Sequence, residues 1–257
     1  MGLLTNKTYV VMGVANHRSI AWGIAQSLHE HGAKLVFTYQ GERLREGVEK
    51  LVATLDGQES LLVSCDVTSD EDVKKAFETI GKEVGVIHGV AHCIAFANKE
   101  DLQGEFIDTS RQGYHLAQDI SSYSLVAVAR EAKPFMTEGG GIVTLTYLGG
   151  ERVVKNYNLM GVAKAALDAN VKYLANDLGK HNIRVNAVSA GPIRTLAAKA
   201  VGGFNDILHQ IEENAPLRRT VDQREVGDSA MFLLSDLSRG VTGEILHVDA
   251  GHNILGF

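Results

Sequence analysis

Little in this chain points to a secreted, membrane-bound or nucleic-acid-binding protein. Cysteine occurs twice in 257 residues, at Cys65 and Cys93, far apart and in no CxxC pair. A disulfide framework or thiolate metal site is therefore not expected, and both cysteines read as reduced, buried strand residues of an intracellular protein. Only three prolines and no low-complexity tract leave nothing that reads as a linker. No apolar run reaches the ~20 residues needed to span a bilayer. The opening MGLLTNKTYVVMG enters a strand pattern directly, without a signal-peptide core and cleavage site. A net charge of −6 offers no basic surface to nucleic acid. The histidines are scattered: His29 and His31 do not face one another on a helix, and His88 and His92 share a strand face without a third ligand. No metal site is expected. GxSxG, Walker and paired-carboxylate patterns are missing too. These absences describe a soluble, cytoplasmic, single-domain protein with no membrane or nucleic-acid partner.

What is present is a regular alternation of short apolar runs and amphipathic stretches, with 45% hydrophobic residues to fill a core. The runs Lys7–Gly13, Lys34–Tyr39, Ser60–Val67, Val86–Ile94, Gly141–Leu148, Ile183–Ser189 and Glu244–Val248 have the continuous apolar character of buried parallel strands. Helical periodicity occupies Ser19–His31, Glu42–Leu55, Glu71–Gly81, Ser110–Phe135, Asn158–Leu178 and Glu225–Leu237. Ser19 is placed to cap the first helix, and Ser69 with Asp72 resembles a capping box for the third. Strand–helix units running the length of the chain predict an α/β fold, a single doubly wound parallel sheet of the Rossmann type covering residues 1–257. Ligands then gather at the carboxyl ends of the strands.

Two side chains stand out at one such end. Tyr157 sits where a loop enters the helix Asn158–Leu178, and Lys164 follows seven residues later, two turns on and close to the same face. A phenol beside an ammonium suits carbonyl chemistry: the phenol donates to a developing oxyanion, and the ammonium holds a hydroxylated cofactor and favours an electron-rich phenol. Tyr147, at the end of the preceding strand, can face the same pocket. The residue types alone fit equally a core tyrosine and a solvated lysine.

Other strand ends fit a dinucleotide. GVANHRSIAWG, Gly13–Gly23, is the first strand-to-helix turn, where a pyrophosphate would rest on a helix N-terminus, although it is not GxGxxG. Gln40 stands where an acidic residue usually binds the adenosine ribose. With no basic residue at 40 or 41 the site favours NADH, while Arg43 and Arg45 leave NADPH open. Asp66 either accepts from the adenine amino group or caps its own turn. The stretch Leu196–Asn214 reads as core or as a substrate-binding lid over an apolar ligand.

GVANHRSIAWGIA, Tyr157-x6-Lys164 and SAGPIRTLAA together closely resemble the enoyl-acyl-carrier-protein reductases, a divergent branch of the short-chain dehydrogenase/reductase family, from Leu3 to about Ile254. Common short-chain reductases have Tyr-x3-Lys, but position 161 is Gly here, and Thr144 occupies the place of their catalytic serine. The resemblance implies reduction of a trans-2-enoyl thioester on acyl carrier protein, with NADH, by a cytoplasmic homotetramer. It places Gly13, Ser19 and Ile20 at the pyrophosphate, Gln40 on the adenosine side, and Asp66 and Val67 in the adenine pocket. Ile94 and Lys164 fall at the ribose, and Ile193, Arg194, Thr195, Leu196 and Ala197 over the nicotinamide. Tyr147 and Tyr157 become the active-site tyrosines. Ala97, Met160, Ala198, Val201, Phe204 and Ile207 line the acyl channel. The basic lid residues of related enzymes are replaced by Gly202, Asn205 and Asp206, with Lys199 nearby.

Overall fold

Successive residues of β1 (Thr8–Met12) point to opposite faces, and both faces are covered: Tyr9 and Val11 enter one core, Val10 and Met12 the other. The computed structural model describes residues 2–57, 60–196, 198 and 202–256. After β1 come α1 (Ile20–Glu30), β2 (Lys34–Tyr39), α2 (Glu42–Val52), β3 (Leu61–Ser64), α3 (Asp70–Val84) and β4 (Gly89–His92). The second half holds α4 (Arg111–Gln118), α5 (Ser124–Ala132), β5 (Gly140–Thr146), α6 (Asn158–Gly179) and β6 (Ile183–Ala190). It finishes with α7 (Phe204–Asn214), α8 (Gln223–Leu234) and β7 (Ile245–Val248).

The strands form one sheet in the order β3-β2-β1-β4-β5-β6-β7, every pair parallel. Chain direction across the sheet reverses between β1 and β4, which opens a crevice at their carboxyl ends. Side chains of α1, α2 and α8 cover one face, those of α3, α5 and α6 the other. α1 and α8 cross backbone to backbone: a Cβ at Gly23 would lie 2.2 Å from the Gln223 carbonyl oxygen, and one at Gly227 2.4 Å from that of Gly23.

Several local expectations change. The helix expected over Ser110–Phe135 is broken by a π turn at Asp119–Tyr123 and ends in a 3-10 turn, Lys133–Phe135. Contacts from elsewhere hold this break open: Asn170 of α6 donates to the Ser122 carbonyl and hydroxyl, and Ser121 binds the backbone of Phe96. β3 and β4 are shorter than their apolar runs, so Cys65 and Cys93 lie just past the paired residues, with Cys93 only half-buried. Ser19 precedes α1 as expected, yet its hydroxyl accepts from the Ala15 and Asn16 N–H groups, 3.1 Å each, and not from the helix. Ser69 does cap α3, accepting from the Asp72 N–H at 3.2 Å. Part of the stretch Leu196–Asn214 is α7, whose Leu208 and Ile211 are buried. Among the described residues no helix is long and apolar enough to cross a membrane, and no cluster of three or more His, Cys, Asp or Glu could hold a metal.

Candidate active site

The turn after β1 is built around a glycine. Gly13 has φ +91°, and a Cβ there would lie 2.0 Å from the Cys93 carbonyl oxygen beyond β4. Only glycine lets the chain turn this close to β4 and then enter α1. With the Ser19 hydroxyl drawing in the Ala15 and Asn16 N–H groups, the first turn of α1, from Ile20, faces the crevice with its free N–H donors and positive dipole end. A pyrophosphate fits this cradle.

Beyond β2, exposed Gln40 donates from Nε2 to Asp66 Oδ2 at 3.0 Å. Oδ1 of Asp66 accepts from the Thr68 N–H and hydroxyl at 3.0 and 2.8 Å, so Asp66 caps its own turn. Burial works to raise this carboxyl, but the Thr68 and Gln40 donors outweigh it and hold it below the usual carboxylate range. Val67, next to it, is buried in the α3 core. Arg43 is exposed, whereas Arg45 is held by Glu49 at 2.8 Å and Glu42 at 3.4 Å. Nothing basic is presented at position 40 or 41, and the residues fit an adenosine ribose with free hydroxyls.

At the end of β5 the two tyrosines meet edge to face, ring centroids 4.9 Å apart and planes at 73°. Tyr157 occupies the position just before α6, as its place in the sequence implies. Burial, then the neighbouring Tyr147 and Asp168, push its phenol well above the ordinary range, so Tyr157 is a donor at any working pH. This runs against the expectation of an electron-rich phenol. Lys164 is 5% exposed, and its Nζ donates to the Leu145 carbonyl at 2.8 Å. Burial lowers Lys164 to about 8, with Asp168 and Cys93 acting to raise it. Thr144 is inside the sheet, its hydroxyl bonded to His92 Nδ1 and the His92 carbonyl, and does not reach this pocket.

Ala97, Met160 and Tyr157 come together with Leu102, Ala117 and Leu159 in one apolar cluster. Ile94 packs toward the α3–α6 core, while Ile193 and Ile207 pack toward the α1–α8 core, apart from that cluster. Phe204 opens α7 half-buried. Arg194 donates to Asn205 Oδ1 at 2.6 Å and Thr195 Oγ1 accepts from the Ala198 N–H at 3.1 Å, so the segment after β6 is tied to its own neighbours. Leu196 is 55% exposed. Ala197, Lys199 and Val201 lie outside the described residues.

Reasoning from residue types missed three groups at the site. Ser121 accepts from the Phe96 N–H at 2.9 Å and lies 3.7 Å from Met160 Sδ, joining the segment before Ala97 to α6. Asn156 donates to the Gly202 carbonyl at 2.8 Å, linking the tyrosine loop to the stretch before α7. Asp168 is buried one turn past Lys164. Its i,i+4 spacing was readable; the π turn that aims Ser121 was not.

A parallel doubly wound sheet with a glycine turn after its first strand places the chain among the dinucleotide-binding Rossmann proteins. Within that class its membership is narrower. The chain belongs to the family described as enoyl-(acyl carrier protein) reductase, which matches residues 13–253. It is 72% identical over 256 residues to the NADH-type enoyl-acyl-carrier-protein reductase FabI of Bacillus cereus, covering 100% of both chains. The NADPH-type FabI of Staphylococcus aureus is 66% identical over 252 residues, 98% of each chain. The crystal structure of the Bacillus cereus enoyl-acyl carrier protein reductase with NADP+ and indole naphthyridinone superposes with a TM-score of 0.99, covering 100% of both chains.

Proposed function

We propose that the chain reduces the trans-2 double bond of enoyl thioesters carried on acyl carrier protein, using NADH, as the last step of each fatty-acid elongation cycle. The observations that carry this reading are a half-buried Tyr157 donor just before α6 and a buried Lys164 farther along that helix, in a chain 72% identical to an NADH-type reductase. When bound, the reduced nicotinamide supplies the hydride that saturates C3 of the substrate. The remaining work belongs to side chains. Tyr157 donates to the thioester oxygen as negative charge gathers there, an interaction worth on the order of 3 kcal/mol because it strengthens in the transition state. Lys164 holds the nicotinamide ribose hydroxyls, and its charge adds to the stabilisation. Tyr147 packs edge-on against the Tyr157 ring and fixes its angle.

Gly13, Ser19 and Ile20 hold the pyrophosphate; Gln40, Asp66 and Val67 the adenosine; Ile94 the ribose. Ile193 to Ala197 close over the nicotinamide. Ala97, Met160, Ala198, Val201, Phe204 and Ile207 form the acyl channel, with residues 196–214 as its lid. The protein works as a cytoplasmic homotetramer, with the region 110–135 (α4 and α5), α6 and the β7 edge as contact elements; exposed Tyr173 (77%) and Ile254 (71%) suit such contacts.

The test is absorbance of the reduced nicotinamide with purified protein and a trans-2-enoyl thioester, with each cofactor tried separately. Rapid loss with NADH and much slower loss with NADPH is expected. Loss with NADPH alone would mean Arg43 or Arg45 reaches a 2′-phosphate. Turnover of a ketoacyl thioester and not of the enoyl one would overturn the assignment.

A further inference from the structure

A buried ammonium needs a compensating charge or it gives up its proton. Lys164 has the Leu145 carbonyl as a hydrogen-bond partner, and a carbonyl supplies no net charge. Of the titratable groups packed around Lys164, Cys93 beyond β4 is pushed by burial up to about 12, and His92 in β4 is held by burial at about 3. Both stay neutral at working pH, as do the phenols of Tyr147 and Tyr157, each raised by burial. That leaves Asp168, four residues on along α6 and 7% exposed. Its Oδ1 is buried with no other hydrogen-bond partner among the described residues, as is Oγ1 of Thr146; burial pushes the carboxyl up, while the neighbouring Thr146 hydroxyl and the Lys164 charge act to lower it. Around Asp168 a cleft of about 460 Å³ between α6 and β7 is lined by Glu151, Lys172, Tyr173 and His247. Glu151 is turned to His247 Nε2 at 2.7 Å and is 40% exposed, so solvent screens it. Asp168, buried on the helix that carries Lys164, is the carboxylate left to compensate its charge.

We propose that Asp168 is a positioning residue for this reaction: its buried carboxylate, one helical turn beyond Lys164, keeps the Lys164 ammonium charged and in place for the cofactor ribose. This rests on the reading of Lys164 as the ribose-binding group. An unpartnered carboxylate oxygen inside a protein is otherwise a cost without return, and here its return is the charge state of the neighbouring lysine. The sign is fixed. Removing the negative charge leaves only burial and neutral neighbours acting on Lys164, so its proton is lost at lower pH.

The test is the NADH dissociation constant by fluorescence titration from pH 6 to 10, on the full-length wild type and the variants Asp168→Asn, Asp168→Glu and Lys164→Ala. In the wild type, affinity should fall as pH rises through about 8. In Asp168→Asn that fall should move down by about one pH unit, the low end of what an adjacent carboxylate does. The loss should then be largest near pH 8 and shrink toward pH 6, a pattern that a packing defect would not give, and Asp168→Glu should restore the wild-type midpoint. An unmoved midpoint in Asp168→Asn, with Lys164→Ala still weak in binding, overturns the role of Asp168 alone. Wild-type affinity in Lys164→Ala overturns the underlying reading of Lys164. Should Asp168→Asn fail to fold, Asp168→Ser carries the same comparison.

Discussion

Replacing His92 with leucine should remove a defined part of the acid sensitivity of the fold. The ring is fully buried between Thr144 and Ser124, 3.0 and 2.9 Å from their hydroxyls. Burial, reinforced by the Lys164 charge, brings it from an ordinary 6.5 down to about 3. Because the folded chain refuses a proton that the unfolded chain accepts, stability falls as pH drops from 6.5 toward 3. At about 1.4 kcal/mol per pH unit, this single ring removes about 4 kcal/mol by pH 3, and about 2 kcal/mol between pH 7 and pH 5. Leucine leaves no orphaned hydroxyl, since Thr144 Oγ1 also donates to the residue 92 carbonyl and Ser124 Oγ to that of Ile120. Urea unfolding of wild type and His92→Leu at both pH values isolates the effect, since carboxylate contributions are common to the two proteins. The wild type should lose about 2 kcal/mol more than the variant between pH 7 and pH 5. Equal losses would refute the claim that His92 is held neutral by burial.

Two further substitutions test the cofactor crevice. Gly13→Ala places a methyl group 2.0 Å from the Cys93 carbonyl oxygen at φ +91°. The left-handed conformation alone costs about 1–2 kcal/mol, and the clash must displace either the turn or β4. Urea unfolding should show a loss above about 2 kcal/mol, with NADH affinity reduced by more than tenfold; normal stability with normal affinity would contradict the cradle. The double variant Glu42→Gln with Glu49→Gln frees Arg45 from both its carboxylates. The NADPH-to-NADH ratio of kcat/KM should rise about tenfold, one charge-assisted hydrogen bond's worth, with stability nearly unchanged because exposed pairs contribute little. An unchanged ratio would place cofactor selectivity elsewhere.

Much of the architecture was legible because buried parallel strands write themselves as continuous apolar runs. Lys34–Tyr39 was bounded to the residue, and the other strands differ mainly at their unpaired ends. The break at Asp119–Tyr123 was not legible. Its sequence has helical periodicity, and the π turn exists because Asn170 and the Phe96 backbone, distant in sequence, bind Ser122 and Ser121. Ser19 shows the same limit on a smaller scale: the residue type and position announced a cap, but the preceding loop folds back to take the hydroxyl. At the site, spacing alone predicted Tyr157 and Lys164 close to one helix face. It could not say that Lys164 would be buried, and so it gave Asp168 no role.

The central claim is that the Tyr157 hydroxyl meets the charge developing on the enoyl thioester. The most direct measurement is Tyr157→Phe, with the maximal rate of NADH oxidation and the NADH dissociation constant determined on the same preparation. A fall in maximal rate of about a hundredfold or more, the range for loss of one oxyanion donor, with NADH binding retained, is the result this account requires. Turnover at the wild-type rate would contradict it.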